Sequence, residues 1–180
     1  VEIQKRLGDV YSYLLRTSVP GLSGEVNGPL GFKLFVNDDL VEPSIPCIWS
    51  DERETTYRGA QIRAVQYIDV PLISAWACNM CGNWVKEPEP VECNVCGYGR
   101  LEPRDRRIWG WLGVQRYIDT AAFGISLLRN GRKIKSNDQS FFVWEDPDTG
   151  ARDVEYPIEM PSNRGRLVGE IHVDHIRPTY

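Results

Sequence analysis

Apolar and polar positions divide the chain into a helical start, a strand-rich body and one cysteine-bearing interruption. Over Val1–Arg16 the apolar residues Leu7, Val10, Tyr11, Leu14 and Leu15 recur at helical spacing, which predicts a helix weakened only at Gly8. Thr17–Gly31 is rich in Pro, Gly and Ser and reads as loop. Phe32–Val36 alternates, Asn37-Asp38-Asp39 turns and Leu40–Glu42 returns, a hairpin that Pro43 and Pro46 close off. A strand is predicted over Gln61 to about Ile73, carried by Ile62, Ala64, Ile68 and Val70. Regular structure is expected to resume near Trp109. Phe123–Leu128 reads as a strand leading into Asn130-Gly131, a strong hairpin signal. Asp146–Gly150 reads as loop, and Leu167–His175 as a last strand through Val168, Ile171 and Val173.

The interruption has its own internal logic. Cys78-Asn79-Met80-Cys81-Gly82 is repeated in form by Cys93-Asn94-Val95-Cys96-Gly97. Two residues between cysteines let the backbone curl until both sulfurs aim at one centre, and the following glycine accepts a positive φ where the turn tightens. Eleven residues, 82–92, separate the pairs and include Pro88 and Pro90, which suits a short ribbon hairpin. Two disulfides or four idle thiols would be the blander account, but doubling of the knuckle points to tetrahedral zinc on Cys78, Cys81, Cys93 and Cys96. Four thiolates leave no open position, so the zinc is expected to be structural, standing in for a core that so short a stretch cannot build. Cys47 stands alone beside Pro46 and is expected to be a small buried apolar residue. The fold class expected is therefore α+β: a mixed sheet with helices formed by 1–75 and 108–180 as one discontinuous domain, with 76–107 as an inserted zinc ribbon.

Composition narrows the classes. A chain of 180 residues with 42% hydrophobic and 26% charged residues is ordinary for a globular protein. No apolar run approaches the roughly 20 residues of a membrane span, and no signal peptide is visible. An odd count of five cysteines, four of them in close pairs, speaks for a reducing compartment, cytoplasmic or nuclear, over a secreted disulfide scaffold. The chain opens on Val1 inside a helical pattern and is expected to be a piece of a longer protein.

With a net charge of −4 the surface as a whole does not attract nucleic acid, though local clusters still can. Arg100, Arg104, Arg106 and Arg107 follow the second knuckle and are candidate phosphate contacts. Glu102 and Asp105 interleave with them, so a solvated surface with local salt bridges is the preferred reading. Arg129, Arg132, Lys133 and Lys135 gather at the predicted hairpin tip, where Arg132 and Lys133 are further candidates for DNA contact; the plainer role is to blunt a sheet edge. Trp76, Trp84, Trp109 and Trp111 are expected to pack against the ribbon in preference to stacking on bases. His172 and His175 lie three apart on a predicted strand, hence on opposite faces, and should not share a metal. There is no phosphate-cradling glycine loop and no G-x-S-x-G elbow, and no nucleophile, base and orienting group converge.

The stretch Phe123-Gly124-Ile125-Ser126-Leu127-Leu128-Arg129-Asn130-Gly131-Arg132-Lys133-Ile134 resembles the transducer, or second, domain of GHKL ATPases, the superfamily of gyrase B, MutL, MORC proteins and the large heat-shock chaperone. There a strand, a short basic turn and a returning strand follow one another. Asn163–Asp174 resembles a later family strand, Phe32–Val41 an earlier hairpin, and the helix around Leu7–Tyr11 the helix before it. The likeness covers most of the chain outside about 76–107, and MORC-like and heat-shock-chaperone-like members are the most similar.

The resemblance implies a non-catalytic module that relays nucleotide state from an ATP-binding domain of the same parent chain. The parent would be an ATPase using ATP and Mg2+ and dimerising at full length. The magnesium-holding Asn, the Asp-x-Gly-x-Gly loop and the glycine-rich lid are not in this chain and are expected upstream of Val1. A γ-phosphate-sensing lysine is expected shortly beyond Tyr180. The ribbon is no general feature of that domain, so its purpose is not implied. The alternative is a stand-alone nucleic-acid-binding zinc-ribbon protein.

Overall fold

The computed structural model describes residues 2–18, 31–154 and 164–176. Most of the predicted loop Thr17–Gly31, the lead Asn163 and the tail 177–180 lie outside the described residues. The helical start forms α1, Glu2–Val10, and α2, Ser12–Leu15. Tyr11 stands between them at φ −103° and ψ 13°, so the one predicted helix is two short ones. Backbone donation still crosses the joint, from Tyr11 N–H to Leu7 O (3.0 Å) and from Leu15 N–H to Tyr11 O (3.1 Å). Gly8 is a point of close approach: Ser44 N–H donates to its carbonyl at 3.0 Å, and a Cβ there would run into the Glu42 carbonyl.

Three tight hairpins punctuate the chain. β1 (Phe35–Val36) and β2 (Asp39–Leu40) pair across Asn37 and Asp38, both at positive φ (52° and 67°), the backbone of a type I′ turn. The paired part of the predicted hairpin is thus short, and Asp39 belongs to the returning strand. β3 (Glu54–Tyr57) and β4 (Ala60–Arg63) close over Arg58 and Gly59 in the same way (50° and 82°). The predicted strand from Gln61 therefore begins inside a hairpin and restarts after Ala64 as β5, Val65–Cys78. β6 (Trp84–Val85) and β7 (Leu101–Val114) follow. β8 (Gly124–Arg129) and β9 (Arg132–Asp138) join through Asn130-Gly131, as predicted. Leu14 of α2 lies directly on Gly131, leaving no room for a side chain there.

A 3-10 turn over Ser140–Phe142 leads to β10 (Val143–Glu145), which pairs with β11 (Arg152–Val154). The predicted loop between them is an Asx turn in which Asp146 Oδ1 accepts from the N–H groups of Asp148 and Thr149, both at 2.9 Å. β12, Leu167–His172, is shorter than the predicted strand, ending three residues before His175.

The main sheet is mixed, in the order β6-β5-β7-β12-β8-β9. β12 runs antiparallel to β7 and parallel to β8. Flanked on both sides, it is buried at every position from Val168 to His172. Gly110 and Gly169 let β7 and β12 close together, because a Cβ on either would meet backbone of the other strand. One core unites Ile48, Val65, Trp111, Phe123, Ile125, Phe142, Val168, Ile171 and Val173. A second, under the helices, holds Tyr13, Trp109 and Leu128.

The longest ladder corrects the prediction at both ends. β5 continues past Ile73 to Cys78, and β7 starts at Leu101, not near Trp109; they pair from Val65↔Gly113 to Cys78↔Leu101. The expected domain boundaries at 75/76 and 107/108 fall inside these strands. β7 escaped notice because Glu102–Arg107 is polar and carries Pro103. β12 pairs with β7 only from Trp109 to Val114, so Pro103 sits where β7 has a neighbour on one side alone, a position that proline tolerates.

Candidate metal centre and the arginine face

The outer end of the β5–β7 ladder carries the cysteines. Cys78 is the last residue of β5, and the first knuckle turns back into β6, with Ala77 opposite Trp84. Both knuckles use one bonding scheme. Cys78 N–H donates to Asn83 O (2.9 Å) and Gly82 N–H to Cys78 O (2.8 Å); Cys93 N–H donates to Tyr98 O (3.0 Å) and Gly97 N–H to Cys93 O (2.8 Å). Gly82 and Gly97 sit at φ 67° and 70°, which explains a glycine after each second cysteine. Asn83 Nδ2 donates to Asn94 Oδ1 at 2.6 Å and ties the knuckles together.

The four sulfurs converge as the spacing predicts. All lie within 4.8 Å of one another, with Cys78–Cys96 and Cys81–Cys93 each at 3.6 Å. Cys78 and Cys93 are buried at 2% exposure, whereas Cys81 and Cys96 are nearer the surface. Backbone N–H groups of Cys81 and Met80 lower the Cys78 thiol. Burial works against ionising Cys93, yet the N–H groups of Cys96 and Val95 bring it down to about 6. At Cys96 the N–H of Tyr98 favours the thiolate, but burial and three neighbouring sulfurs push it up to about 12. A divalent ion at their centre would hold all four as thiolates. The cluster is thus positioned to hold a metal ion, and it is the one such group among the described residues.

The other predicted site residues fare differently. Arg104 Nη2 makes a long pair with Glu102 (3.4 Å), Arg107 Nη1 a longer one with Asp69 (3.9 Å), and Arg106 Nη1 donates to Ile73 O (3.4 Å). Arg100 is exposed. Two of the four arginines thus make long ion pairs at the surface, and a third donates to a backbone carbonyl. At the hairpin tip Lys133 is folded back onto Asp9 at 2.9 Å with its side chain 7% exposed, so it presents no free ammonium; Lys135 pairs with Asp138 at 2.7 Å. Although burial opposes it, Lys133 and Ser136 hold the Asp9 carboxyl below its usual range. Arg132 stays exposed, its guanidinium 5.8 Å from the Tyr11 ring.

Several expectations need correction. Cys47 is exposed, not buried. Of the four tryptophans only Trp76 and Trp84 lie on the ribbon, Trp76 Nε1 donating to Pro88 O at 3.0 Å. Trp109 and Trp111 belong to the two cores, because they lie on the part of β7 that pairs with β12 inside the sheet. The histidines do part company. His172 is buried and stacked on Trp109 at 3.7 Å, while His175 lies beyond the strand.

The sequence reading missed a buried ion pair. Arg16 Nη2 meets Glu170 Oε2 at 2.6 Å with side chains 0% and 3% exposed, and Trp111 Nε1 donates to the same oxygen at 3.1 Å. A lone Glu in the apolar run Leu167–Val173 was the available signal, since a charge in a buried strand requires a partner. No described helix is long and apolar enough to cross a membrane. No protein family, no curated protein and no solved structure matches this chain.

Proposed function

We propose that Cys78, Cys81, Cys93 and Cys96 hold one structural zinc ion and that the chain is a non-catalytic relay module of a GHKL-type ATPase. The carrying observation is the β5–β7 ladder, which, with one bulge, joins the hydrophobic core to the cysteine tetrad in two strands of 14 residues each. A tetrahedron with zinc–sulfur bonds of about 2.3 Å has edges of about 3.8 Å. Sulfur pairs at 3.6 Å within a set spanning 4.8 Å are close to that figure. Four thiolates saturate zinc and give substrate no entry, so the ion supplies rigidity, not chemistry.

A relay needs a body that moves as one piece. Here α2 is fastened to the central strand by Arg16–Glu170, and α1 to β9 by Asp9–Lys133. The GHKL assignment rests on the resemblance at Phe123–Ile134, which coincides with β8, its I′ turn and β9, and at 164–174, which contains β12. The ATP-binding domain, Mg2+ and the sensing lysine belong to the parent chain in this reading.

Elemental analysis of protein purified without chelator tests the metal: about one zinc per chain is expected, lost with Cys93→Ser. The relay reading is tested in the parent reading frame. It should encode a magnesium-holding Asn and an Asp-x-Gly-x-Gly loop upstream, and a lysine within about ten residues beyond Tyr180 whose change to Ala abolishes ATP turnover. A frame lacking them ends the relay assignment, and absence of stoichiometric zinc ends the metal one.

A further inference from the structure

Between the ribbon and the body lies a cleft of about 430 Å³, within the usual size of ligand sites. Its walls come from four places in the chain: Trp84 on β6, Arg104 and Arg107 on β7, Asn130 in the β8–β9 turn, and His175 after β12. Spacing along the chain gives no hint of this convergence, since these residues lie in elements far apart in sequence.

The lining has a defined chemistry. Arg104 and Arg107 keep side chains 54% and 40% exposed, and their carboxylate partners, at 3.4 and 3.9 Å, lie at long range. Such pairs contribute little and exchange readily for a better anion. Asp174, also in the lining, is engaged, since its Oδ1 accepts the Asn130 N–H at 2.6 Å. Two guanidinium groups thus face one lining carboxylate, held in place by that N–H and still charged. His175 Nδ1 is buried with no hydrogen-bond partner. Trp84 is half-buried, with the Arg106 guanidinium 5.8 Å from its ring centre on one face, and its indole lines the cleft. Trp109 is already covered by His172 at 3.7 Å, with the Arg107 guanidinium 5.0 Å from its ring, so it serves as a fixed wall.

We infer that this cleft takes one unstacked nucleotide of a single-stranded nucleic acid, its phosphate on Arg104 and Arg107 and its base against Trp84. Guanidinium forks match phosphate oxygens, and an aromatic face accepts any base once it is unstacked. A base held in a duplex stack cannot enter a recess between a ribbon and a sheet, so single strands are preferred. Asn130, with a donor and an acceptor in its amide, is the group placed to touch a base edge. The inference stands independently of the relay reading.

The test is fluorescence anisotropy of the zinc-loaded chain with a labelled single-stranded oligo(dT) of about 10 nucleotides. A blunt duplex of equal length and an oligo-glutamate peptide serve as competitors. Arg104→Gln combined with Arg107→Gln should weaken binding at least about tenfold and flatten the log–log salt slope by about 1.4, two contacts at about 0.7 each. Trp84→Leu should weaken it roughly 5- to 150-fold, with recovery in Trp84→Phe. The arginines are partly exposed surface residues, so the double variant decides even if Trp84→Leu loosens the ribbon. No binding, competition by duplex or oligo-glutamate equal to that by unlabelled oligo(dT), or an unchanged affinity and salt slope in the arginine double variant would each overturn the inference.

Discussion

Arg16→Met removes one half of the buried pair at the centre of the fold. At 2.6 Å and an effective dielectric of 20 the pair's gross attraction is about 6 kcal/mol. Burying both ions costs several kcal/mol each, so the net contribution of the intact pair is small. The single variant is a different matter. Glu170 stays 3% exposed, Trp111 Nε1 is its one remaining donor at 3.1 Å, and Oε1 has no partner to begin with. A charge left so costs about 3–5 kcal/mol. With a urea slope of about 2 kcal/mol/M, the unfolding midpoint should fall by about 1.5–2.5 M. Arg16→Met with Glu170→Leu should return to within about 1 kcal/mol of the parent, since an apolar pair of similar bulk leaves nothing uncompensated. The assay is urea unfolding at saturating zinc, followed by the summed fluorescence of the six tryptophans, Trp111 beside the pair among them. A midpoint shift below about 0.5 M in Arg16→Met, or a double variant less stable than either single, would refute the reasoning.

Three further outcomes follow from single sites. Burial holds His172 down to about 4, with Arg16 and Arg107 adding to it and Asp174 and Glu170 opposing. The unfolded imidazole binds its proton below about 6.5 and the folded one only near 4, so stability is full above 6.5 and drops by about 3 kcal/mol as pH falls through that window. Urea midpoints at several pH values should show this slope, and His172→Phe, which keeps a ring on Trp109, should abolish it. Gly110→Ala should cost at least about 2 kcal/mol, because its φ is +152° and the new Cβ meets the Glu170 carbonyl. Gly59→Ala, at φ +82° with open space around it, should cost only about 1 kcal/mol, and equal thermal shifts for the two would contradict the close-approach account. Removing the metal should speed amide exchange in the knuckles well before β8 and β12, and uniform loss of protection would show that the ribbon and core unfold together.

What could be read in advance was whatever is encoded locally. The tetrad was legible because each knuckle sets its own geometry within five residues and repeats it. Asn130-Gly131 was legible because that dipeptide accepts positive φ at both positions, whereas Arg58-Gly59 makes the same turn with a residue that carries no such signal. All eight residues of β3 and β4 are exposed, so no alternation marks them either. Arg16 and Glu170 lie 154 residues apart, and only the topology brings them together. The cleft at Trp84 and His175 failed to show for the same reason. Its residues come from β6, β7, a turn and the end of β12, and no spacing encodes their meeting.

The misplaced end of β5 has a more specific cause. Between Leu72↔Arg106 and Ala75↔Arg104 the register slips by one residue, so Ile73 and Ser74 together oppose Asp105. Val65 is buried where β5 begins; from there to the bulge the partly buried side chains fall at even positions, Ile68 and Leu72, and just past it the buried ones fall at odd positions, Ala75 and Ala77. An inserted residue inverts the faces of everything downstream, and a period-two pattern read across it loses phase. A strand inferred from alternation therefore ends where the phase breaks, even though the hydrogen-bonded ladder continues. Arg106, donating to the Ile73 carbonyl at 3.4 Å, supplies a partner at the bulge. The inversion also has a structural consequence. It turns Ala75 and Ala77 to the buried face, while Cys78, next along the strand and on its other side, is buried with its sulfur 3.6 Å from that of Cys96.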